Sequence, residues 1–146
     1  MRAYASRTKV SPEKSRAEIE TILGKYGATQ RAIACDDERG LAQIAFVVRT
    51  QKYRLDVPMP KQDGTERQAQ AARERWRAVV LLLKGKLELV RIGISTVEKE
   101  FMADLVLENG ETMHVALATA IKHGLETGQR PMLALPAAGT TDAAGQ

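Results

Sequence analysis

The sequence predicts an α+β fold: an N-terminal helix, a three-stranded antiparallel meander, a long central helix and a small C-terminal helix–hairpin–helix portion. Three observations predict it. Over 65–90, Ala69, Ala72, Trp76, Val79, Leu83, Leu87 and Val90 advance by three or four, the period of one helix face. Over 41–57 the period falls to two: Ala42, Ile44, Phe46 and Val48, then Tyr53, Leu55 and Val57, alternate with polar residues. Further on, Asn109 and Gly110 sit between two short apolar runs, a strong hairpin signal.

Residues 1–10 form a basic lead-in, expected to be loose or an edge strand. Ser11 suits the N-cap, Pro12 the first helical turn and Glu13 the positive end of the helix dipole, so a helix is predicted over 12–26. Ile19, Ile22, Leu23 and Tyr26 share its buried face, Lys14, Arg16, Glu18 and Lys25 its solvated one, and Gly27 supplies the left-handed exit. A first strand over 31–35 leads through Asp36, Asp37, Glu38, Arg39 and Gly40 into the second, over 41–49. A reversal near Thr50 and Gln51 opens the third, over 52–57, and Pro58 and Pro60 end it because neither donates to a ladder.

Thr65 with Gln68 makes a capping box for the long helix. Its stretch from Ala78 to Leu83 is apolar around most of the circumference and is expected to sit inside the fold, whereas Arg67, Arg73, Arg75 and Arg77 make its first half a basic, solvated rod. Gly85 interrupts it at a cost of about 1 kcal/mol relative to alanine, leaving three outcomes: tolerance, a bend, or close approach of another backbone. The helix ends by Gly93. Ser95, Thr96, Val97 and Glu98 repeat the capping pattern ahead of a short helix presenting Val97, Phe101 and Met102. A last helix over 113–126 is expected to bury Leu117, Ala120, Ile121 and Leu125 and to close at Gly128. After it, 131–135 reads as a docked extended segment and 136–146 as a disordered tail. The whole reads as one domain over 1–135, with 10–93 as its core and 94–135 as the C-terminal portion.

The chain has 146 residues, 44% of them hydrophobic, which suffices for a core and excludes global disorder; at 4% aromatic that core is aliphatic. The formal charge of +4 favours weak attraction to anionic partners. Cys35, the single cysteine, excludes an intramolecular disulfide and a cysteine-based zinc cluster, which fits a reducing compartment. No apolar run reaches the roughly 20 residues that span a bilayer. Arg2, Arg7 and Lys9 precede no apolar run of a secretory signal, so the expected location is cytoplasmic, without a membrane partner.

Chemistry is sparse. Asp36, Asp37 and Glu38 have the composition of a polar turn and lack the spacing of a calcium loop, so no metal is expected. His114 and His123 lie nine residues apart, on opposite sides of one helix. There is no glycine-rich phosphate loop and no nucleophile elbow, and Cys35 reads as a small core residue. The expectation is a non-enzymatic protein without a cofactor.

Basic residues carry the remaining signal. Arg73, Arg77 and Lys84 fall on one helix stripe, and Arg49, Lys52 and Arg54 cluster at one hairpin. Together they would make a nucleic-acid-binding surface that tracks phosphates, DNA or RNA being undetermined. The alternative is a protein-binding module with an exposed apolar patch at Phe101, Met102 and Met132, or the free edge of the meander. Trp76 reads as core.

Several segments carry a resemblance: Val10-Ser11-Pro12-Glu13-Lys14-Ser15-Arg16, Tyr26-Gly27-Ala28, Arg75-Trp76-Arg77 leading into Leu82-Leu83-Lys84, Glu100-Phe101, and the Asn109-Gly110 turn. In this order they resemble a family of small uncharacterised phage and prophage proteins, over most of 10–135. The resemblance implies a phage or mobile-element origin and brings no activity or catalytic residue with it. The function expected is therefore a phage or prophage accessory protein binding nucleic acid. The alternative is a protein-binding module that acts on a phage or host protein, such as an inhibitor of a host defence.

Overall fold

The computed structural model describes residues 5–129 and Ala138. Its first element, α1 (Pro12–Lys25), is capped by Ser11, whose hydroxyl accepts from the Lys14 amide at 3.2 Å. The helix buries Ile19, Ile22 and Leu23, and the chain leaves through Gly27 at φ 94°. The lead-in is neither loose nor a strand over 5–10. The Gln70 side chain donates to the Thr8 carbonyl at 3.1 Å, and Ala5 is buried.

Strands β1 (Ala28–Asp36), β2 (Leu41–Val48) and β3 (Gln51–Pro58) form an antiparallel meander in the order β1-β2-β3. Ala42, Ile44, Phe46, Tyr53 and Leu55 point to the helices, as their alternation requires. Gln43 and Asp56 pair across the other face, where the Gln43 amide donates to the Asp56 carboxylate at 2.9 Å. Val47 departs from the pattern: it is buried on this second face beside Gln30, Arg31 and Lys52. In the β1–β2 turn Gly40 has φ 63°, and a Cβ there would stand 2.9 Å from the Met59 carbonyl oxygen, so only glycine fits. The β2–β3 reversal lies one residue earlier than expected. Val48 pairs with Gln51, which leaves Arg49 and Thr50 as the loop, with Arg49 at φ 57°. A side chain in that region costs about 1 kcal/mol or more, so composition alone did not mark the turn.

Helix α2 (Glu66–Arg91) begins at Thr65, whose hydroxyl accepts from the Gln68 amide at 3.3 Å. Only this half of the expected capping box forms, because the Thr65 amide donates to Asp63 Oδ1 at 2.9 Å. At its exit the Ile94 amide donates to the Leu89 carbonyl and the Gly93 amide to that of Val90, with Gly93 at φ 83°: a complete Schellman cap. Gly85 neither breaks the helix nor admits a neighbour, for a Cβ built on it meets nothing within 4 Å.

Both helices lie on one face of the sheet. Ile19, Ile22 and Leu23 of α1 and Trp76, Val79, Val80, Leu83 and Leu87 of α2 close one core over Ile44, Phe46, Tyr53 and Leu55. The expectation that α2 is buried all round between Ala78 and Leu83 fails. Ala78 and Leu82 are exposed, because α1 and the sheet cover only part of the circumference.

Beyond α2, helix α3 (Val97–Glu100) is capped by Thr96, whose hydroxyl accepts from the Lys99 amide, while the Ser95 hydroxyl donates to the Glu100 carboxylate at 2.5 Å. A 3-10 turn (Met102–Asp104) follows. Leu105 then bridges Tyr53 at the edge of β3, and the Val106 amide donates to the Lys52 carbonyl at 2.9 Å. The hairpin at Asn109 and Gly110 exists with a different turn. The Gly110 amide donates to the Leu107 carbonyl and only Gly110 has positive φ (84°), so the loop has three residues, with the glycine at its left-handed end.

The last helix is α4 (Met113–Thr127), which packs on the 3-10 turn and exits at Gly128, φ 67°. The expected burial of its apolar face does not occur: Leu117 and Ala120 are half-buried, while Ile121 and Leu125 are exposed. The segment expected to dock over 131–135 lies outside the described residues. So does the tail over 136–146, apart from Ala138, which bridges Leu107. Among the described residues no helix is long and apolar enough to cross a membrane.

Candidate interaction surfaces

The basic residues do not share one surface. Lys52 and Arg54 stand on the sheet face turned away from the helices, Arg49 is in the β2–β3 loop, and Arg73, Arg77 and Lys84 lie along α2. Nor is the α2 stripe a row of free cations: Arg73 and Arg77 are half-buried, and Lys84, though exposed, is paired. Glu18 of α1 receives Arg77 Nη1 at 2.6 Å and Lys84 Nζ at 2.5 Å. Arg73 reaches Glu66 at 2.5 Å and the Gln70 side-chain oxygen at 2.9 Å. Glu18, expected to be solvated, is thus the acidic centre of the α1–α2 seam. The hydrogen bond from Lys84, ahead of that from Arg77, holds its carboxyl below the usual range against the opposing effect of burial.

The hairpin cations are also engaged. Arg49 pairs with Glu98 at 3.3 Å. Arg54 pairs with Asp56 at 3.0 Å and donates to the Gly110 carbonyl at 3.0 Å, tying the C-terminal hairpin to β3. Among the described residues Lys52 alone of the six has no ion pair. A cation already paired with a carboxylate must leave it to meet a phosphate, so each of these five gains less from a nucleic acid than a free cation would, least so for the exposed Arg49–Glu98 pair.

A cleft of about 320 Å³ opens between the start of α1, the β1–β2 turn and the first half of α2. Trp76 is its floor, with the Arg16 guanidinium 5.5 Å above the ring. Arg16 also donates to the Cys35 sulfur at 3.4 Å and to Glu13 at 3.4 Å. Cys35 is exposed, not the core residue expected: it stands near the end of β1, at the edge of the sheet, and the helices do not cover it. Trp76 is core, as expected. The cleft lining contains no histidine; the charged side chains that share it with the thiol are Glu13, Arg16, Asp37 and Arg73.

No three His, Cys, Asp or Glu side chains among the described residues are placed to hold a metal. Asp36 is committed to its turn, accepting from the Arg39 amide at 3.0 Å. His114 and His123 are both exposed on α4. Burial displaces Asp104 and Tyr53: desolvation raises the Asp104 carboxyl, against which nearby Lys86 acts, and raises the Tyr53 hydroxyl.

The apolar patch expected at Phe101, Met102 and Met132 is not a patch. Phe101 is fully buried, edge-on to Phe46 at 5.3 Å and 6.1 Å from Tyr53, because it closes the open end of the core beneath Lys86. Met102 is exposed, and Met132 lies outside the described residues. Exposed apolar surface on regular structure lies on α4, at Val115, Ile121 and Leu125, and on α2. Ala78, Leu82, Gly85, Leu89 and Ile92 run along the outer side of α2, spaced by four, three, four and three residues. Leu82 is 46% and Ile92 52% exposed, and Ile94 continues the surface at 66%. Only Ala78 and Leu82 of this seam belong to the apolar run over 78–83 expected to be buried. Gly85, Leu89 and Ile92 lie beyond it, and the coiled-coil period that joins all five is the sequence signal for the seam.

Scans against family models, curated proteins and solved structures find no match to this chain.

Proposed function

We propose that this chain is a non-enzymatic protein-binding module whose docking surface is the outer face of α2 from Ala78 to Ile92. The observation that carries this reading is the uncharged seam itself. It has two half-exposed large aliphatic side chains, Leu82 on the helix and Ile92 at its C-cap, with no charged residue between them on the same stripe; α4 carries a second exposed apolar surface at Val115, Ile121 and Leu125. Contiguous exposed apolar surface on a small domain marks an interaction site. The resemblance to phage and prophage proteins makes a phage or host protein the partner class, with inhibition of a host system as one form of the activity.

The competing reading, nucleic-acid binding, asks Arg49, Arg54, Arg73, Arg77 and Lys84 to exchange intramolecular carboxylates for phosphates. One experiment separates the two. The chain and its Leu82→Glu variant are used as bait in nuclease-treated host lysate, and both are titrated against DNA and RNA at low salt. A stoichiometric protein retained by the wild type and lost by the variant is the expected result. Salt-sensitive nucleic-acid binding that Leu82→Glu leaves unchanged, with no protein retained, overturns it.

A further inference from the structure

We infer that the outer face of α2 is self-complementary and joins two copies of this chain as an antiparallel pair; the inference rests on reading that face as the docking surface. Along the seam small and large residues alternate from Ala78 through Leu82 and Gly85 to Leu89, and Ile92 follows as a second large residue. In an antiparallel helix pair each residue of the first seam position faces a partner residue of the second kind. Setting Leu82 opposite Gly85 of the other copy also sets Ala78 opposite Leu89, and the two-fold axis generates the reciprocal contacts. Every central layer then contains one leucine and one residue small enough to receive it.

A parallel pair would instead stack Gly85 on Gly85 and Ala78 on Ala78, leaving those layers hollow, and would crowd Leu82 against Leu82 between them. Close packing favours the antiparallel arrangement. Gly85 supplies the second argument. It sits mid-helix at a propensity cost, is exposed, and has nothing within 4 Å of a built Cβ, so no contact inside this chain accounts for it. A facing leucine does. Charge permits the pairing as well. In this register Leu81 flanks Glu88 of the other copy and Ile92 meets Arg75, so no like charges meet.

The size of the face sets the strength. From Ala78 to Ile92 the seam is about 21 Å long, and two such faces with their flanking stems remove on the order of 1,000 Å² from water. That is the low end for stable association, so the pair should be in the micromolar range and concentration-dependent.

Sedimentation equilibrium of the full chain from about 1 to 300 μM is the test. A monomer–dimer equilibrium that Leu82→Glu abolishes is expected, with the unfolding midpoint of the variant at low concentration within a degree or two of wild type. For orientation, in a Cys35→Ser background, a mixture of Ala78→Cys and Leu89→Cys proteins should form the mixed disulfide, while Ala78→Cys alone should not self-link. A 16.0 kDa monomer at every concentration overturns the inference, as does a dimer that survives Leu82→Glu or self-linking of Ala78→Cys alone. Should the chain stay monomeric while Leu82→Glu still releases a captured protein, self-association fails and the docking surface stands.

Discussion

The inner and outer faces of α2 are made from nearly the same residue types and behave differently. Trp76, Val79, Val80, Leu83 and Leu87 are buried against the sheet and α1; Ala78, Leu82, Gly85, Leu89 and Ile92 look outward. Counting apolar residues does not separate them. Size and neighbours do. From Trp76 to Leu87 the inner face is large at every buried position, as a core at native density requires. The outer face alternates small and large from Ala78 to Leu89 and is bounded on the α1 side by Arg77, Lys84 and Glu88, whose charges keep it at the water boundary. The lesson is that the half of an apolar helix with the greater volume goes to the core, and the thinner second face stays at the surface.

The strongest way to break this comparison is to treat both faces alike. Leu83→Ala opens a cavity under a fully buried side chain and should lose about 2–5 kcal/mol of stability at every protein concentration. The matching outer change, Leu82→Ala, should alter monomer stability by no more than about 0.5 kcal/mol. Urea unfolding at about 1 μM reads both. If Leu82→Ala costs as much as Leu83→Ala, the outer face is core after all.

A smaller effect tests the boundary that separates the faces. Glu18→Gln leaves Arg77 and Lys84 without their shared carboxylate and should cost about 1–2 kcal/mol at neutral pH. The sign with pH follows from the displacement. The folded carboxyl lies below its unfolded value, so its contribution is full above the ordinary glutamate range and is lost as pH falls through the folded value. Asp104 works in the opposite direction, because burial raises it and acidification relieves that penalty. Both proteins share Asp104, so the difference between their stability–pH curves isolates Glu18. The two curves should converge as the pH falls through the folded Glu18 value, which lies below the ordinary glutamate value of about 4.3. A gap that persists once the folded carboxyl is protonated would assign the effect to packing instead of charge.

Much of the fold was legible because its signals are local. Ser11, Thr65 and Thr96 each cap within three residues, and the alternation of 41–57 needs only the period of a strand. The interaction surface was not, because its determinants are contacts between residues far apart in sequence. Nothing near Glu18 announces Arg77 and Lys84, about sixty residues away, and so the α2 cations read as a free basic stripe. Phe101 reads as exposed until Phe46 and Tyr53 are folded over it. Arg49 in the left-handed region shows the converse: tertiary pairing of β2 with β3 overrides a local preference that would have placed glycine or asparagine there.

The finest test of the two faces is Gly85→Ala, because the monomer and the pair should answer with opposite signs. In the monomer the added methyl meets no atom within 4 Å and gains helix propensity worth about 0.8–1.0 kcal/mol, so the urea midpoint at low concentration should rise. In the antiparallel pair the same methyl points at Leu82 of the other copy, pushes the helices apart and should weaken association about tenfold, which is about 1.4 kcal/mol. A variant with a raised midpoint and a raised dimer Kd therefore ties the glycine to the outer face. If association is unchanged while stability rises, the helices do not approach at Gly85, and the register that sets it opposite Leu82 is wrong.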